Sequence, residues 1–155
     1  MRADSGSALA EWDGSDFALL AEQAGTFRRV GAHTLRNAEA FLREVVAGLF
    51  GVRADAEGGR FVIAPWLPDG WRSMTLHRLR LHRSLIDLEV RPRAEWATVR
   101  LKLTFGPPIA LALSVRNAGP VGRVTVDEIA LQGDRAVFTL AGEHEAIFFF
   151  EGDAR

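Results

Sequence analysis

The chain has no cysteine and no tyrosine. Without a thiol, disulfides, thiolate nucleophiles and cysteine-held metals are excluded. Lysine occurs once, at Lys102, so almost all the basic charge is arginine. Beside abundant alanine and glycine, that skew reads as GC-rich coding rather than as selection for phosphate. Charge of one sign is not in excess either: 19 basic residues meet 20 acidic ones, for a net charge of -1. Such a balance gives no electrostatic reason to expect nucleic acid or an anionic membrane as partner. No apolar run is long enough to span a bilayer. No basic start leads into an apolar stretch after Met1, so no signal peptide is expected and a cytoplasmic, bacterial-type protein is.

What is present is an ordinary globular balance, with 48% hydrophobic and 25% charged residues over 155 positions. That length suits one structural unit with a real core. Two helices are expected in the first third. One covers about residues 16–28, with Phe17, Leu20, Ala21, Ala24 and Phe27 along one side. The second covers about residues 32–50, where Leu35, Ala38, Leu42, Val45, Val46 and Leu49 form a continuous stripe at helical spacing. Phe41 and Phe50 widen it. Gly51 follows the stripe, where a left-handed cap needs no Cβ.

After Gly51 the pattern changes to alternation. Residues 54–59 read as a turn-rich connector and residues 60–65 as a strand. Ile86, Leu88 and Val90 alternate with Asp87 and Glu89. Ala97, Val99, Leu101, Leu103 and Phe105 then alternate with Trp96, Thr98, Arg100, Lys102 and Thr104. This is the signature of half-buried antiparallel strands. Roughly eight short strands, punctuated by glycine, proline and asparagine, indicate a sandwich or barrel. Phe148, Phe149 and Phe150 do not alternate, so the last strand is expected to be covered on both faces. The fold class expected is α+β: an N-terminal helical segment over 1–51, packed as a helical pair on a jelly-roll-like antiparallel β-sandwich over 52–155.

Three phrases at the junction carry a resemblance. They are Gly51-Val52-Arg53-Ala54-Asp55, then Ile63-Ala64-Pro65, then Leu67-Pro68-Asp69-Gly70-Trp71. Together they resemble the end of bacterial glycosidases and phosphorylases built on an (α/α)6 barrel, such as α-L-rhamnosidases and glycogen-debranching, amylo-1,6-glucosidase-like proteins. Ala54 stands where those families usually have proline, and His82-Arg83-Ser84 where a glycine-rich turn is common. The resemblance implies a last barrel helix followed by a C-terminal β-sandwich. In such enzymes the catalytic carboxylates sit on barrel loops. A barrel needs about twelve helices of 10–15 residues, and this chain has room for about two. It resembles the tail without the catalytic body, so no enzyme activity and no catalytic residue is expected.

The remaining candidates are few. Trp66 and Trp71 flank a turn and can stack on a sugar ring; alternatively they seal the helix–sandwich junction. Trp12 and Trp96 are weaker cases. Asp55, Glu57 and Asp69 lie in turns, where acids usually cap or are solvated, although a glycosidase needs two carboxylates at a set separation. His33, His77, His82 and His144 are dispersed without metal-ligand spacing; His77 and His82 are expected on adjacent strands. Arg78, Arg80, Arg83, Arg91 and Arg93 form a basic strip that reads as solvated edge charge; the alternative is anion binding. No glycine-rich phosphate loop occurs, and no cofactor or metal is expected. The function expected is a non-catalytic accessory domain of a carbohydrate-active enzyme, or a free-standing relative of one. The alternative is a carbohydrate-binding module using exposed tryptophans. The partners expected are a second copy packed through the N-terminal helices, a chain carrying a catalytic barrel, or carbohydrate.

Overall fold

A computed structural model describes residues 42–152 of the chain. The chain divides into two compact units, Met1–Leu49 and Phe50–Arg155. The first expected helix and the stripe residues Leu35, Ala38 and Phe41 lie outside the described residues, so the helical pair is not shown. The described end of the first unit is α-helical over 42–44 and widens into one π-helical turn, Val45–Leu49. Leu42, expected on the buried stripe, is 60% exposed, whereas Leu49 is buried.

Among its described residues the second unit holds ten strands, where roughly eight were expected. They are β1 (Arg53–Asp55), β2 (Arg60–Ile63), β3 (Met74–Leu81), β4 (Ser84–Pro92) and β5 (Trp96–Phe105), then β6 (Ile109–Leu113), β7 (Val121–Val126), β8 (Ile129–Leu131), β9 (Ala136–Leu140) and β10 (Glu143–Phe150). β1 was not expected: its Ala54 and Asp55 fall at the start of the expected connector over 54–59. Asp55 closes the β1–β2 turn: its Oδ1 accepts the Gly58 N–H at 3.0 Å and its Oδ2 faces Arg60 at 3.3 Å.

Six strands form an antiparallel sheet in the order β3-β4-β5-β10-β7-β8. Four form a second sheet in the order β1-β2-β6-β9, in which β2 and β6 run parallel. That parallel pair departs from the all-antiparallel expectation. β9 of the second sheet lies against β5, β7 and β10 of the first, giving a sandwich-like core.

Register explains why the core closes. Met74, Val90, Val99, Ala146 and Val126 stand in one row across the six-stranded sheet, and Ala97, Phe148 and Val124 in the next. All of these are buried. From the other sheet Ile63, Leu113 and Ala136 form a matching row, each with no exposed surface. Side chains that alternate along a strand and align across strands put every second residue on one face.

Two expectations fail at the strand ends. Phe105 was expected inward but is 69% exposed, because the register slips at Leu85/Ile86, beside the end of β5. Phe148 is fully buried, yet Phe149 and Phe150 are only half-buried. β10 is a central strand paired on both edges, and pairing both edges is not the same as covering both faces.

Candidate functional site

The Leu67-to-Trp71 turn has a structural basis in the parallel ladder. Beyond β2 and β6 the two segments stay paired: the Ser114 N–H donates to the Ile63 carbonyl at 3.0 Å, and the Arg116 N–H to the Pro65 carbonyl at 2.9 Å. The Leu67 N–H donates back to the Arg116 carbonyl at 2.9 Å, and Trp66 and Arg116 form an isolated parallel bridge. The Arg116 side chain then folds inward. Its Nε donates to the Ala64 carbonyl at 2.6 Å, and its guanidinium lies 5.9 Å from the Trp66 ring centroid. Burial strips water from that guanidinium and lowers its pKa from the ordinary arginine value. Gly51 completes the corner at φ +62°, where an added Cβ would overlap the Ala64 carbonyl.

This ladder aims the turn into a cleft of about 470 Å³. Leu67, Pro68, Asp69, Gly70 and Trp71 form one wall; Pro92, Arg93 and Ala94 a second; Asn117, Ala118 and Gly119 a third; Phe150 lines it as well. Asn117, at φ +58°, donates from Nδ2 to the Leu67 carbonyl at 2.9 Å and holds two of the walls together. Trp71 is 40% exposed here. Trp66 does not line this cleft, so the two sequence candidates are not brought together: Trp66 sits half-buried against Arg116 and Trp71 faces the cleft. Asp69 lines the cleft and Asp55 does not. The Gly58 N–H, with Arg60 beyond it, holds the Asp55 carboxyl below the usual range, which is the signature of a turn cap.

A second depression, of about 270 Å³, lies on the outer face of the six-stranded sheet. Trp96 and Thr98 of β5 stand beside Arg91 and Arg93 from the end of β4, with Glu89, Arg100 and Glu145 beyond. The register makes Glu89, Arg100 and Glu145 one cross-strand row. Arg100 donates to Glu145 at 2.7 Å and lies 3.9 Å from Glu89 and 3.8 Å from Glu143. The Glu145 hydrogen bond and charge, helped by the other two carboxylates, raise the Arg100 pKa further. Trp96 is 40% exposed.

The histidines do not converge. His77 and His82 are not on adjacent strands: His77 sits at a bulge in β3 and His82 in the β3–β4 turn. Asp87 accounts for the bulge, accepting the Arg78 N–H at 2.8 Å with His77 3.6 Å away. Arg78 and Arg80 lie exposed on β3, an edge strand, as solvated edge charge would. The sequence reading missed one pair, in which His144 Nδ1 lies 2.6 Å from Asp127 Oδ2, with the His144 ring tilted against Phe138. The Glu145 N–H, donated to Asp127 Oδ1 at 2.9 Å, lowers the Asp127 pKa first, and His144 lowers it further. Among the described residues no group of three histidine or acidic side chains could hold a metal. No helix among them is long and apolar enough to cross a membrane.

Residues 55–114 match the family described as Glycosyl hydrolase family 65, C-terminal domain. The match starts at Asp55, ends at Ser114, and contains the parallel ladder's first arm, the 67–71 turn and β3 to β6. It covers well under half of the chain. It supports a resemblance to the C-terminal domain of a glycosidase, and it names family 65 rather than the α-L-rhamnosidases or debranching enzymes. No curated protein matches the chain.

Proposed function

We propose that this chain is a non-catalytic accessory β-sandwich, a C-terminal domain of a carbohydrate-active enzyme or a stand-alone relative of one. The observation that carries the reading is the match over residues 55–114, which falls on the strands and turn that build the sandwich corner. The chemistry agrees. Asp55 is engaged as a turn cap and does not line the cleft that Asp69 lines, which supports reading the two as structural rather than as an acid–base pair. The test is turnover: the purified chain should neither hydrolyse nor phosphorolyse aryl-glycosides or oligosaccharides. Turnover that survives repurification and disappears in Asp69→Asn would overturn the reading.

A carbohydrate-binding role is the second reading, favoured by the 40% exposure of both Trp71 and Trp96. The partner of such a domain would be a second copy packed through the N-terminal helices, or a chain carrying a catalytic barrel. Leu42 is 60% exposed on the described end of that helix, and covering it is what such an association would do. Light scattering at micromolar concentration decides: a 17 kDa species unchanged by Leu42→Glu would rule out the homodimer.

A further inference from the structure

The three arginines lining the depression around Trp96 are matched unequally. Arg91 is held by Glu89, with Nη2 to Oε1 at 2.8 Å and Nε to the same oxygen at 2.9 Å. Arg100 is held by Glu145. Lys102 stands in register between Asp87 and Glu143. Among the arginines lining the depression, Arg93 is the exception. Its Nη1 donates to the backbone carbonyls of Arg72 at 3.2 Å and Pro92 at 2.7 Å. Among the described residues it meets no carboxylate, and its Nε and Nη2 donate to no protein atom. The carbonyls fix the guanidinium in place and leave its charge uncompensated.

Three features therefore share one groove: an indole with a large exposed surface, two arginine–glutamate pairs already locked in orientation, and one fixed cation without a counter-ion. The volume, about 270 Å³, falls just below the ~300 Å³ lower end of pockets for drug-sized ligands, which suits one sugar ring, free or within a chain. An indole offers a flat apolar platform with the size and low entropy cost of an aromatic anchor. Paired guanidinium and carboxylate groups, together with the Thr98 hydroxyl, supply donors and acceptors in fixed planes. A planar guanidinium with its Nε and Nη2 edge unengaged matches a carboxylate in bidentate geometry.

We propose that this groove binds a pyranose ring carrying a carboxylate, a hexuronate. The ring stacks on Trp96, its hydroxyls meet the Arg91–Glu89 and Arg100–Glu145 pairs, and its carboxylate takes Arg93. The choice of a sugar rests on the carbohydrate-linked function proposed above; the choice of an acidic one rests on Arg93. Arg93 also lines the cleft at Trp71, but Trp96 and both arginine–glutamate pairs line the sheet-face groove and not that cleft, so recognition falls there.

The test is a calorimetric and tryptophan-fluorescence titration of the full chain with four probes. They are a glucuronic acid oligomer, a neutral glucose oligomer of equal length, sodium acetate, and a glutamate-rich peptide. The uronate oligomer should bind at least tenfold more tightly than the neutral one, and its affinity should fall as salt rises. Arg93→Gln should bring the uronate down to the neutral level. Trp96→Ala should abolish binding and Trp96→Phe restore part of it, with thermal melts confirming that each variant folds. Equal binding of neutral and acidic oligomers would overturn the acidic assignment. Acetate or the peptide binding as tightly as the uronate would overturn the sugar. Binding lost in Trp71→Ala but kept in Trp96→Ala would move the site to the cleft and overturn the proposal, as would no binding at all. None of these outcomes touches the non-catalytic reading, which the turnover assay judges separately.

Discussion

The two sheets of the sandwich are joined by opposite logic. In the six-stranded sheet, β3, β4 and β5 follow one another as neighbours, and β7 pairs with β8 across a two-residue turn. In the four-stranded sheet only β1 and β2 are consecutive; β2 finds β6 in parallel, and β6 finds β9. The first sheet is mainly written in local hairpins and the second in long-range pairings. Parallel strands require a crossover of a dozen or more residues, and here the crossover is the β3–β5 meander itself. The family-like phrase from Ile63 to Trp71 lies where the chain leaves the long-range sheet for the local one.

The largest effect should come from the centre of the local sheet. Phe148 has no exposed surface and stands between Ala97 and Val124 in the same row. Phe148→Ala should cost about 3–5 kcal/mol, the range for deleting a buried aromatic, read from urea melts. A loss below about 1 kcal/mol would mean that the core does not depend on this row.

The next test concerns the long-range side. Gly51→Ala forces a Cβ onto the Ala64 carbonyl, at a φ of +62° that alanine disfavours. The same carbonyl accepts from Arg116 at 2.6 Å, so a shift there disturbs the whole ladder extension. The expected loss exceeds the ~1 kcal/mol typical of a compatible glycine change and has the opposite sign. If Gly51→Ala proves neutral in the same melts, the corner is looser than its geometry.

This contrast also explains what could be read in advance. β4 and β5 were legible because a half-buried antiparallel strand alternates strictly, as Ile86, Leu88 and Val90 do. The β2–β6 pairing was not, since nothing in Phe61, Val62 and Ile63 says which distant strand they will meet. The Trp71 side of the candidate site was legible as a turn. The Trp96 groove was not, because Arg93 gains its importance only from the Arg72 and Pro92 carbonyls that fix it. The Asp127–His144 contact was hidden for a similar reason: it spans a turn and the far edge of β10.

That contact gives a smaller, pH-dependent prediction. The folded Asp127 pKa is depressed, so its contribution is present above the unfolded carboxylate value of ~3.9 and is lost as pH falls through the lower folded value. The group is well exposed, with 45% side-chain accessibility, so solvent screening keeps the contribution under ~1 kcal/mol. Below about pH 4 the wild type should therefore lose stability faster than Asp127→Asn. Parallel acid-unfolding curves would count against a role for the carboxylate.

The smallest effect sharpens the local side of the comparison. β7 and β8 are joined by Asp127 and Glu128 alone, at φ 48° and 69°. Two successive positive φ values in a two-residue hairpin are the conformation in which Asp-Gly and Asn-Gly are preferred. Aspartate tolerates the left-handed region because its short polar side chain bonds locally, and here Asp127 does so through the Glu145 N–H. Glu128 has no such compensation in the described structure. Glu128→Gly relieves the left-handed strain, about 1–2 kcal/mol, against roughly 0.5–1 kcal/mol of extra backbone freedom lost on folding. The net should be a gain of a few tenths to about 1 kcal/mol, visible as a rise in the melting temperature. A fall would mean that the Glu128 side chain holds the hairpin by a contact stronger than the strain it imposes.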